Sequence, residues 1–367
     1  MNYEIVIPVL ISFAISAILG PIVIPFLKRL KVGQTERKEL ESHLKKNGTP
    51  TMGGLMILAS IIITSLFYVK DYPRIIPILF MTAGFGVIGF LDDYLKVVLR
   101  RSDGLLPWQK MILQFVVTTV FAVYMVRYSG IELTMLIPFS GGKYLNIGWL
   151  AIPLLYFAVI GTVNGVNFTD GVDGLVSSVT IMVATFFSVV AIGTNAGIAP
   201  ITCAVAGALL GFLLFNVYPA SVFMGDTGSL ILGYCLAFLA IRFCQLNATP
   251  EFGVVGAPIV AFSTLFIPIF DVFRVFIVRI KHGKSPFLPD KNHIHHKLLA
   301  LGMSHRQAML TLVIASSMFI ILNWFLVKIL GETVMFLFDI FLGLCLVYGL
   351  QRFIVDKERK LVKRKVR

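Results

Sequence analysis

The sequence has few charged residues for its length. Of its 367 residues, 14% are charged and 57% are hydrophobic, whereas soluble globular chains carry about 25% charged residues. A soluble protein of this composition would need an unusually large apolar core. The apolar residues fall instead in long continuous runs, so lipid is the expected environment of the chain.

Cysteine is scarce as well. All four cysteines lie within apolar stretches and none belongs to a Cys-X-X-Cys pair: Cys203, Cys235, Cys244 and Cys345. This pattern favours buried free thiols over disulfides or a metal site. The sequence also lacks a recognisable cleavable signal peptide, an internal repeat and a separate soluble domain. We therefore expect a single transmembrane catalytic domain over residues 1–367.

What the sequence does contain is a series of apolar segments. A helix that spans a bilayer needs about 20 mostly apolar residues, and bundles tolerate prolines within such helices. Eleven candidate segments are present: 4–27, 52–69, 75–91, 108–127, 148–165, 174–193, 199–215, 227–245, 253–276, 307–329 and 333–351. The sequence thus predicts an all-α, polytopic membrane helix bundle with about 10–11 transmembrane helices.

The formal net charge of +13 has an uneven distribution. With the N-terminus outside and the C-terminus in the cytoplasm, 26 of the 32 Lys and Arg residues fall on the inner side, as the positive-inside rule requires. The inner segments include a large loop, 277–306, and a basic tail, 353–367. Because the basic residues lie between apolar runs, we predict no nucleic-acid partner.

Three acidic clusters fall at the same predicted membrane depth, on the cytoplasmic side. Asp92 and Asp93 end the third apolar segment, and the stretch 164–174 holds two Asn and two Asp residues before the sixth. The third cluster brackets the loop between the seventh and eighth segments, with Asn216 and Asp226. Any one cluster could be a helix cap or a turn, but three on one face of a chain so poor in charge indicate a site.

Carboxylates brought together repel one another unless a cation neutralises them. Mg²⁺ takes oxygen ligands and usually keeps contacts with substrate phosphates. A nest of carboxylates at a membrane surface therefore suits the joining of two phosphates, one soluble and one on a lipid. The glycines of residues 165–174 would let the backbone approach a diphosphate, and the helix start that follows would offer free N–H groups.

The last large inner loop carries a fourth polar cluster. Its segment 289–297 reads Pro-Asp-Lys-Asn-His-Ile-His-His-Lys and contains His293, His295 and His296. These histidines could bind zinc or phosphate, and the absence of cysteine partners favours phosphate. Lys96 and Lys110 flank the Asp92-Asp93 pair, where ordinary inside-positive charge is the alternative explanation.

These motifs resemble the polyprenyl-phosphate N-acetylhexosamine-1-phosphate transferase superfamily of phosphoglycosyl transferases. Residues 1–233 are similar to phospho-N-acetylmuramoyl-pentapeptide transferases. The similarity is carried by Gly48-Thr-Pro-Thr-Met-Gly-Gly, Phe90-Leu-Asp-Asp-Tyr-Leu-Lys, Asn164-Gly-Val-Asn-Phe-Thr-Asp-Gly-Val-Asp-Gly and Phe223-Met-Gly-Asp. The resemblance implies transfer of a phospho-sugar from a UDP-sugar to undecaprenyl phosphate, at the cytoplasmic face of a bacterial inner membrane, in peptidoglycan synthesis.

Residues from about 234 onward depart from that family. The loop from Ser285 to Lys297, followed by Gly302-Met-Ser-His-Arg-Gln-Ala, resembles the sister branch of undecaprenyl-phosphate N-acetylglucosamine-1-phosphate transferases. The chain could therefore be a composite, either a divergent natural sequence or a fusion with a seam near 230–250. UDP-N-acetylglucosamine is the alternative sugar donor, since the resemblance implies that the last inner loop selects the sugar.

The resemblance also implies roles for the acidic residues. Asp226 would ligate Mg²⁺, with Mn²⁺ as a substitute. Asp92 and Asp93 would serve the polyprenyl phosphate, one of them as the base that removes its proton. Asn167 and Asp170 would hold the diphosphate region of the nucleotide sugar.

The remaining implied roles concern binding. The uridine pocket would contain Lys46, Asp173, Asn216 and Phe223, with Phe223 stacked on uracil. Phosphate contacts would come from Lys96, Lys110, His293, His295 and His296. Members of the superfamily can also form homodimers.

A membrane transporter is the rival from another class. Carriers place ionisable groups near the bilayer midplane, often between repeats. Here the acidic residues gather at one face and no repeat is visible, so an enzyme is favoured.

Overall fold

A computed structural model of the chain describes residues 3–30, 48–73, 75–99, 101, 104–127, 134–136, 144–146, 148–191, 198–246, 254–285 and 292–365. Within these ranges the fold is built from thirteen α-helices: α1 (Tyr3–Arg29), α2 (Gly54–Leu66), α3 (Ile75–Val97), α4 (Pro107–Arg127), α5 (Ala151–Thr169), α6 (Leu175–Val190), α7 (Ile198–Asn216), α8 (Gly225–Leu246), α9 (Ala257–Thr264), α10 (Phe266–Lys281), α11 (Ile294–Ala300), α12 (His305–Leu330) and α13 (Glu332–Lys365). The prediction of an all-α membrane bundle is confirmed.

Each of the eleven predicted apolar segments corresponds to a helix or to a helix pair. Eight helices of the described chain are long and apolar enough to cross a membrane, and a bent pair brings the number of spans to nine. Two further apolar helices, α2 and α6, are shorter, with 13 and 16 residues. The predicted number of 10–11 helices is reached only when these two are counted.

The ninth predicted segment is broken. Helices α9 and α10 meet at an angle of 73°, and Leu265, with φ −107° and ψ 4°, separates them. Pro268 has no N–H with which to continue the hydrogen bonds of α9. It is tolerated in the first turn of α10, where N–H groups lack helical partners anyway. Proline therefore converts one apolar segment into two helices.

Several helices extend further than their apolar composition suggests. Helix α3 continues to Val97 and α5 to Thr169, so that Asp92, Asp93 and Asn167 lie on helices rather than in loops. The predicted inner loop 277–306 contains the short helix α11, and α13 continues into the predicted tail. The connection between α4 and α5 contains two antiparallel strands, β1 (Thr134–Leu136) and β2 (Tyr144–Asn146).

Helix α8 is the most enclosed spanning helix in the described part of the chain, since 83% of its apolar stretch is buried. Its Tyr234 is fully buried and stacks on Phe85 at 5.2 Å between ring centroids. Glycines allow α8 to approach its neighbours closely, as small residues commonly do in membrane bundles. A Cβ atom on Gly89 of α3 would overlap the backbone of Asp226 and Thr227, and one on Gly54 of α2 would overlap Gly228.

We predict that Gly89→Ala separates α3 from α8 and destabilises the protein by about 1–3 kcal/mol, the usual effect of overpacking. The measurement is the thermal unfolding midpoint of the detergent-purified protein. Gly161→Ala is the matched control, because a Cβ atom at this α5 glycine meets no other atom within 4 Å. Equal unfolding midpoints for the two variants would contradict the assigned contact.

Candidate active site

Two carboxylates and two ammonium groups meet at one end of the bundle. Asp92 lies near the C-terminal end of α3, Lys96 one turn further on, Lys110 in the first turn of α4 and Asp226 in the first turn of α8. Asp226 Oδ2 accepts from Lys96 Nζ at 2.8 Å and from Lys110 Nζ at 2.7 Å. Asp92 Oδ2 lies 2.6 Å from Lys96 Nζ and 3.4 Å from Lys110 Nζ. We call these four residues the charged cluster.

The charged cluster is partly enclosed. The Asp92 side chain is 2% exposed and that of Asp226 is 18% exposed, whereas Lys96 is 38% exposed. Charges in such a site interact more strongly than in water. Two lysines therefore neutralise two carboxylates at a position open enough for an anionic ligand to reach the lysines.

Asp93 has a different environment from its neighbour Asp92. Its Oδ1 accepts from the Asp226 N–H at 3.1 Å, and its Oδ2 accepts from the Thr227 N–H at 2.9 Å and the Thr227 hydroxyl at 2.7 Å. Asp93 of α3 therefore caps the N-terminus of α8, where N–H groups lack helical partners and a negative charge is favoured. Both of its carboxylate oxygens are engaged.

Asn167 fixes the other side of Asp226. From the last turn of α5, its side-chain amide donates to Asp226 Oδ1 at 2.9 Å and to the Ser229 hydroxyl at 2.7 Å. Asp226 is thus held by groups from α3, α4 and α5. Asp170 follows directly after α5, and its side chain is exposed.

A second group of predicted residues surrounds the connection from α7 to α8. Asn216 accepts from the Gly174 N–H at 3.1 Å and donates to the Val222 carbonyl at 3.0 Å. Asp173 Oδ2 accepts from the Ala220 N–H at 3.2 Å. Asp173 and Asn216 therefore both bind the backbone of the segment 217–224, which also contains Phe223. Lys46, the fourth predicted member of this pocket, lies outside the described residues.

The histidine motif is anchored by α10. His293 Nδ1 lies 2.9 Å from Asp271 Oδ2, and the Ile294 N–H donates to both oxygens of the same carboxylate. Arg274 donates to Asp271 Oδ1 at 2.7 Å. The rings of His295 and His296 lie 4.2 Å apart between centroids.

His295 connects this motif to the glycine-rich segment. A Cβ atom on Gly171 would overlap the His295 ring. The structure thus places His295 against the segment that follows α5 and carries Asp170.

Sequence reasoning missed Asp271 and Arg274. Both lie on α10, and both had a signal, since a charged residue within an otherwise apolar spanning segment usually marks a functional or paired group. Ser229 and Thr227 were missed as well. Their hydrogen bonds to Asn167 and Asp93 join residues far apart in the chain, which the sequence alone does not reveal.

The donor chemistry of the charged cluster can be tested against a magnesium ion. Mg²⁺ prefers oxygen ligands, and the carboxylates of Asp92 and Asp226 share the same two cations. The described residues contain no group of three or more His, Cys, Asp or Glu side chains that could hold a metal alone. Since Mg²⁺ is often bound through one or two carboxylates plus substrate phosphates, the residues fit an ion whose coordination a phosphate completes.

The fold and this site define a class of protein. The family model "Glycosyl transferase family 4" matches residues 75–244, which include both carboxylates and both lysines of the charged cluster. The "Phospho-N-acetylmuramoyl-pentapeptide-transferase signature 1" matches residues 46–58. The chain is a multi-pass membrane transferase.

Curated relatives narrow the class to a family. The chain is 47% identical over 236 residues to the phospho-N-acetylmuramoyl-pentapeptide-transferase of Acetivibrio thermocellus. This alignment covers 63% of this chain and 71% of the relative. The chain is also 47% identical over 247 residues to the transferase of Clostridioides difficile (66% and 76% covered) and 45% identical over 240 residues to that of Bacillus subtilis (64% and 73%). The chain belongs to the phospho-N-acetylmuramoyl-pentapeptide-transferase family.

We predict that Asp93→Asn lowers the free energy of unfolding by about 1–3 kcal/mol, because one side-chain oxygen that accepts from α8 is replaced by an amide that can only donate. Thermal unfolding in detergent measures the change. Asp71→Asn removes the same charge at an exposed position and should leave the midpoint unchanged. A wild-type midpoint for Asp93→Asn would show that the cap of α8 does not require a carboxylate.

Proposed function

We propose that this protein transfers phospho-N-acetylmuramoyl-pentapeptide from its UDP-linked form to undecaprenyl phosphate, with release of UMP and formation of lipid I. The observation that carries the proposal is the charged cluster at one end of a membrane bundle, in a chain at least 45% identical over 236–247 residues to the three relatives compared above. A lipid phosphate and a soluble diphosphate can meet only at a membrane surface, and lysines are suitable partners for both.

We place this site at the cytoplasmic face of a bacterial inner membrane. The excess of Lys and Arg on the segments next to the cluster supports that orientation, with the N-terminus outside and the C-terminus inside. We also propose one catalytic domain over residues 1–367, with the loop 277–306 and the basic tail 353–367 on the cytoplasmic side. Formation of a homodimer, which the resemblance implies, stays a prediction.

Lys96 and Lys110 are the proposed phosphate ligands. Both ammonium groups already contact Asp226 and Asp92. An incoming phosphate would therefore share the two lysines with these carboxylates. Asp170, exposed after α5, would face the diphosphate of the nucleotide sugar together with Asn167. The nearby His293, His295 and His296 would contribute further phosphate contacts.

Asp92 is the better candidate for the base that accepts the proton of the lipid phosphate. Asp93 is occupied by three hydrogen bonds from the start of α8, which suits a positioning role. Asp92 Oδ2 instead faces the two lysines that would bind phosphate. A general base must lie within hydrogen-bond reach of the proton that it removes, and this geometry favours Asp92.

Direct attack accounts for the reaction with the fewest steps. An oxygen of undecaprenyl phosphate forms a bond to the phosphorus that carries the sugar. The bridging bond of the diphosphate breaks, and the electron pair leaves with UMP. A phosphate monoester is itself a competent nucleophile, so no covalent intermediate on an aspartate is needed.

Magnesium is the proposed cofactor, with manganese as a substitute. Asp226 would hold the ion, with Asp92 as the nearest second carboxylate across the shared lysines. When bound, the ion would neutralise negative charge on the phosphates and on the leaving UMP. Asn167 would keep Asp226 oriented for this role through its 2.9 Å hydrogen bond.

The nucleotide pocket is proposed to lie beside the segment 217–224. Asp173 and Asn216 are held to the backbone of this segment, and the family signature over residues 46–58 begins at Lys46. Phe223 would stack on uracil. Its own backbone is fixed by hydrogen bonds with Pro50 and Gly53, which ties the pocket to the start of α2.

A second sugar donor, UDP-N-acetylglucosamine, is supported by the histidine loop. The relatives cover 63–67% of this chain, and the family model ends at residue 244. The motif His293-Ile-His-His lies beyond that point and resembles the sister branch. This alternative rests on the idea that the chain is a composite and that its last loop selects the sugar.

Supplying each UDP-sugar separately decides between these donors. We expect purified protein with undecaprenyl phosphate and magnesium to release UMP from the UDP-linked muramoyl pentapeptide and to form a lipid-linked product. Turnover of UDP-N-acetylglucosamine alone would favour the alternative. A phospho-sugar adduct of the protein, formed without lipid, would overturn direct attack. Uptake by vesicles without any lipid phosphate would indicate a transporter.

We further predict that Asp226→Asn raises the Mg²⁺ concentration for half-maximal activity by about 10- to 100-fold, because the neutral amide attracts the cation less strongly. Binding of Mn²⁺, followed by its electron paramagnetic resonance signal, should weaken in parallel. Asp356→Asn changes an exposed acidic residue of α13 and serves as the control. Unchanged metal dependence in Asp226→Asn would exclude this carboxylate as the ligand.

A further inference from the structure

The N-terminus of α12 carries two residues that contact the proposed nucleotide pocket. Ser304 begins the helix with a capping box, in which its hydroxyl and the Gln307 side chain exchange hydrogen bonds with each other's backbone N–H. Such a cap defines where a helix starts. It therefore fixes the directions of His305 and Arg306, the first two residues of α12.

Arg306 binds the backbone of the segment between α7 and α8. Its Nε and Nη2 atoms donate to the Tyr218 carbonyl at 3.0 and 2.8 Å. Two parallel N–H groups of a planar guanidinium hold an oxygen in a defined direction, which a lysine could not do. Tyr218 follows Asn216 by two residues, so Arg306 binds the same segment that Asn216 and Asp173 bind.

His305 contacts both sides of the same pocket. Its ring stacks on that of Tyr218, with 4.9 Å between centroids and an interplanar angle of 20°. His305 Nδ1 lies 3.8 Å from Asp173 Oδ1. This distance brings the imidazole close to the carboxylate but is too long for a direct hydrogen bond. The other Asp173 oxygen accepts from Ala220, so the carboxylate lies between α12 and the segment 217–224.

Met309 extends this contact along α12. It follows His305 by four residues and therefore lies on the same face of the helix. The Ser178 hydroxyl lies 3.5 Å from the Met309 sulfur, and a Cβ atom on Gly174 would lie 3.1 Å from it. The first turns of α12 thus pack on the residues that follow Asp173 in the chain.

We infer that His305 and Arg306 are positioning residues of the nucleotide pocket, and that they hold Asp173 and the segment 217–224 in the geometry that binds a uridine nucleotide. The inference rests on the proposed function for the identity of the nucleotide. Both residues lie outside residues 75–244, which the family model matches. The C-terminal part of the chain therefore completes a pocket whose other residues come from the matched part.

The test separates the two substrates of the full-length enzyme. We expect His305→Ala to raise the apparent KM for the UDP-sugar about tenfold and to weaken UMP binding by a similar factor, as expected for loss of a partner of a charged group. The KM for undecaprenyl phosphate should stay within about twofold of the wild-type value.

Substitutions of Arg306 provide a second test of the same pocket. Arg306→Lys keeps the charge but loses the paired N–H groups, so it should resemble Arg306→Ala in its weakened UMP binding. His282→Ala is the matched control. His282 is exposed, and its Nδ1 lies 2.7 Å from the Val278 carbonyl of its own helix, so both KM values should be unchanged.

The outcomes distinguish this inference from the proposed function. If the wild-type protein turns over the UDP-sugar but His305→Ala leaves both KM values unchanged, only the inference fails. Equal increases in both KM values, together with a lowered unfolding midpoint, would show general structural support and would also overturn it. If the wild-type protein turns over no UDP-sugar, the proposed function fails. The inference is then tested by UMP binding alone: weaker binding by His305→Ala than by the wild type supports it, and equal binding overturns it. A wild-type protein that does not bind UMP overturns both.

Discussion

The hydrogen bonds between Asp93 and the start of α8 are the interaction on which the site depends. Most of helix α8 is enclosed by other helices, and an unpaired N–H group in such surroundings would be unfavourable. Asp93 satisfies two N–H groups at the start of this helix and the Thr227 hydroxyl. Because Asp93 belongs to α3, the cap also sets the position of Asp92, its neighbour, and of Lys96, one turn further along.

The charged cluster has a composition that suits an exchange of partners. Two carboxylates and two lysines compensate one another in a partly enclosed site, where uncompensated charge would be strongly unfavourable. A bound diphosphate would draw on the lysines and leave the carboxylates in need of another cation. The proposed magnesium ion meets that need, so phosphate and metal would bind together more favourably than either one alone.

Much of the fold could be predicted because the length of each apolar segment can be read directly from the sequence. The eleven apolar segments and the gathering of Asp92, Asp226 and Asn167 followed from hydropathy and from the uneven distribution of Lys and Arg. Hydropathy does not show where a helix continues into polar residues, so the ends of α3 and α5 were placed too early. Nor does it reveal partners more than a hundred residues apart, such as Asp93 and Thr227. Asp271 was visible as a charge within an apolar segment, but its partner His293 was recognisable only in three dimensions.

The two parts of the chain contribute differently to the site. The charged cluster lies within the matched range 75–244, on helices held together by the Asp93 cap and by close contacts at glycines. The histidine motif and the start of α12 lie beyond that range. They reach the rest of the site through a few polar contacts, chiefly Asp271 with His293, Arg306 with Tyr218 and His305 near Asp173. Because these contacts involve the periphery of the site rather than the charged cluster, the proposed nucleotide pocket depends on the C-terminal part more directly than the charged cluster does.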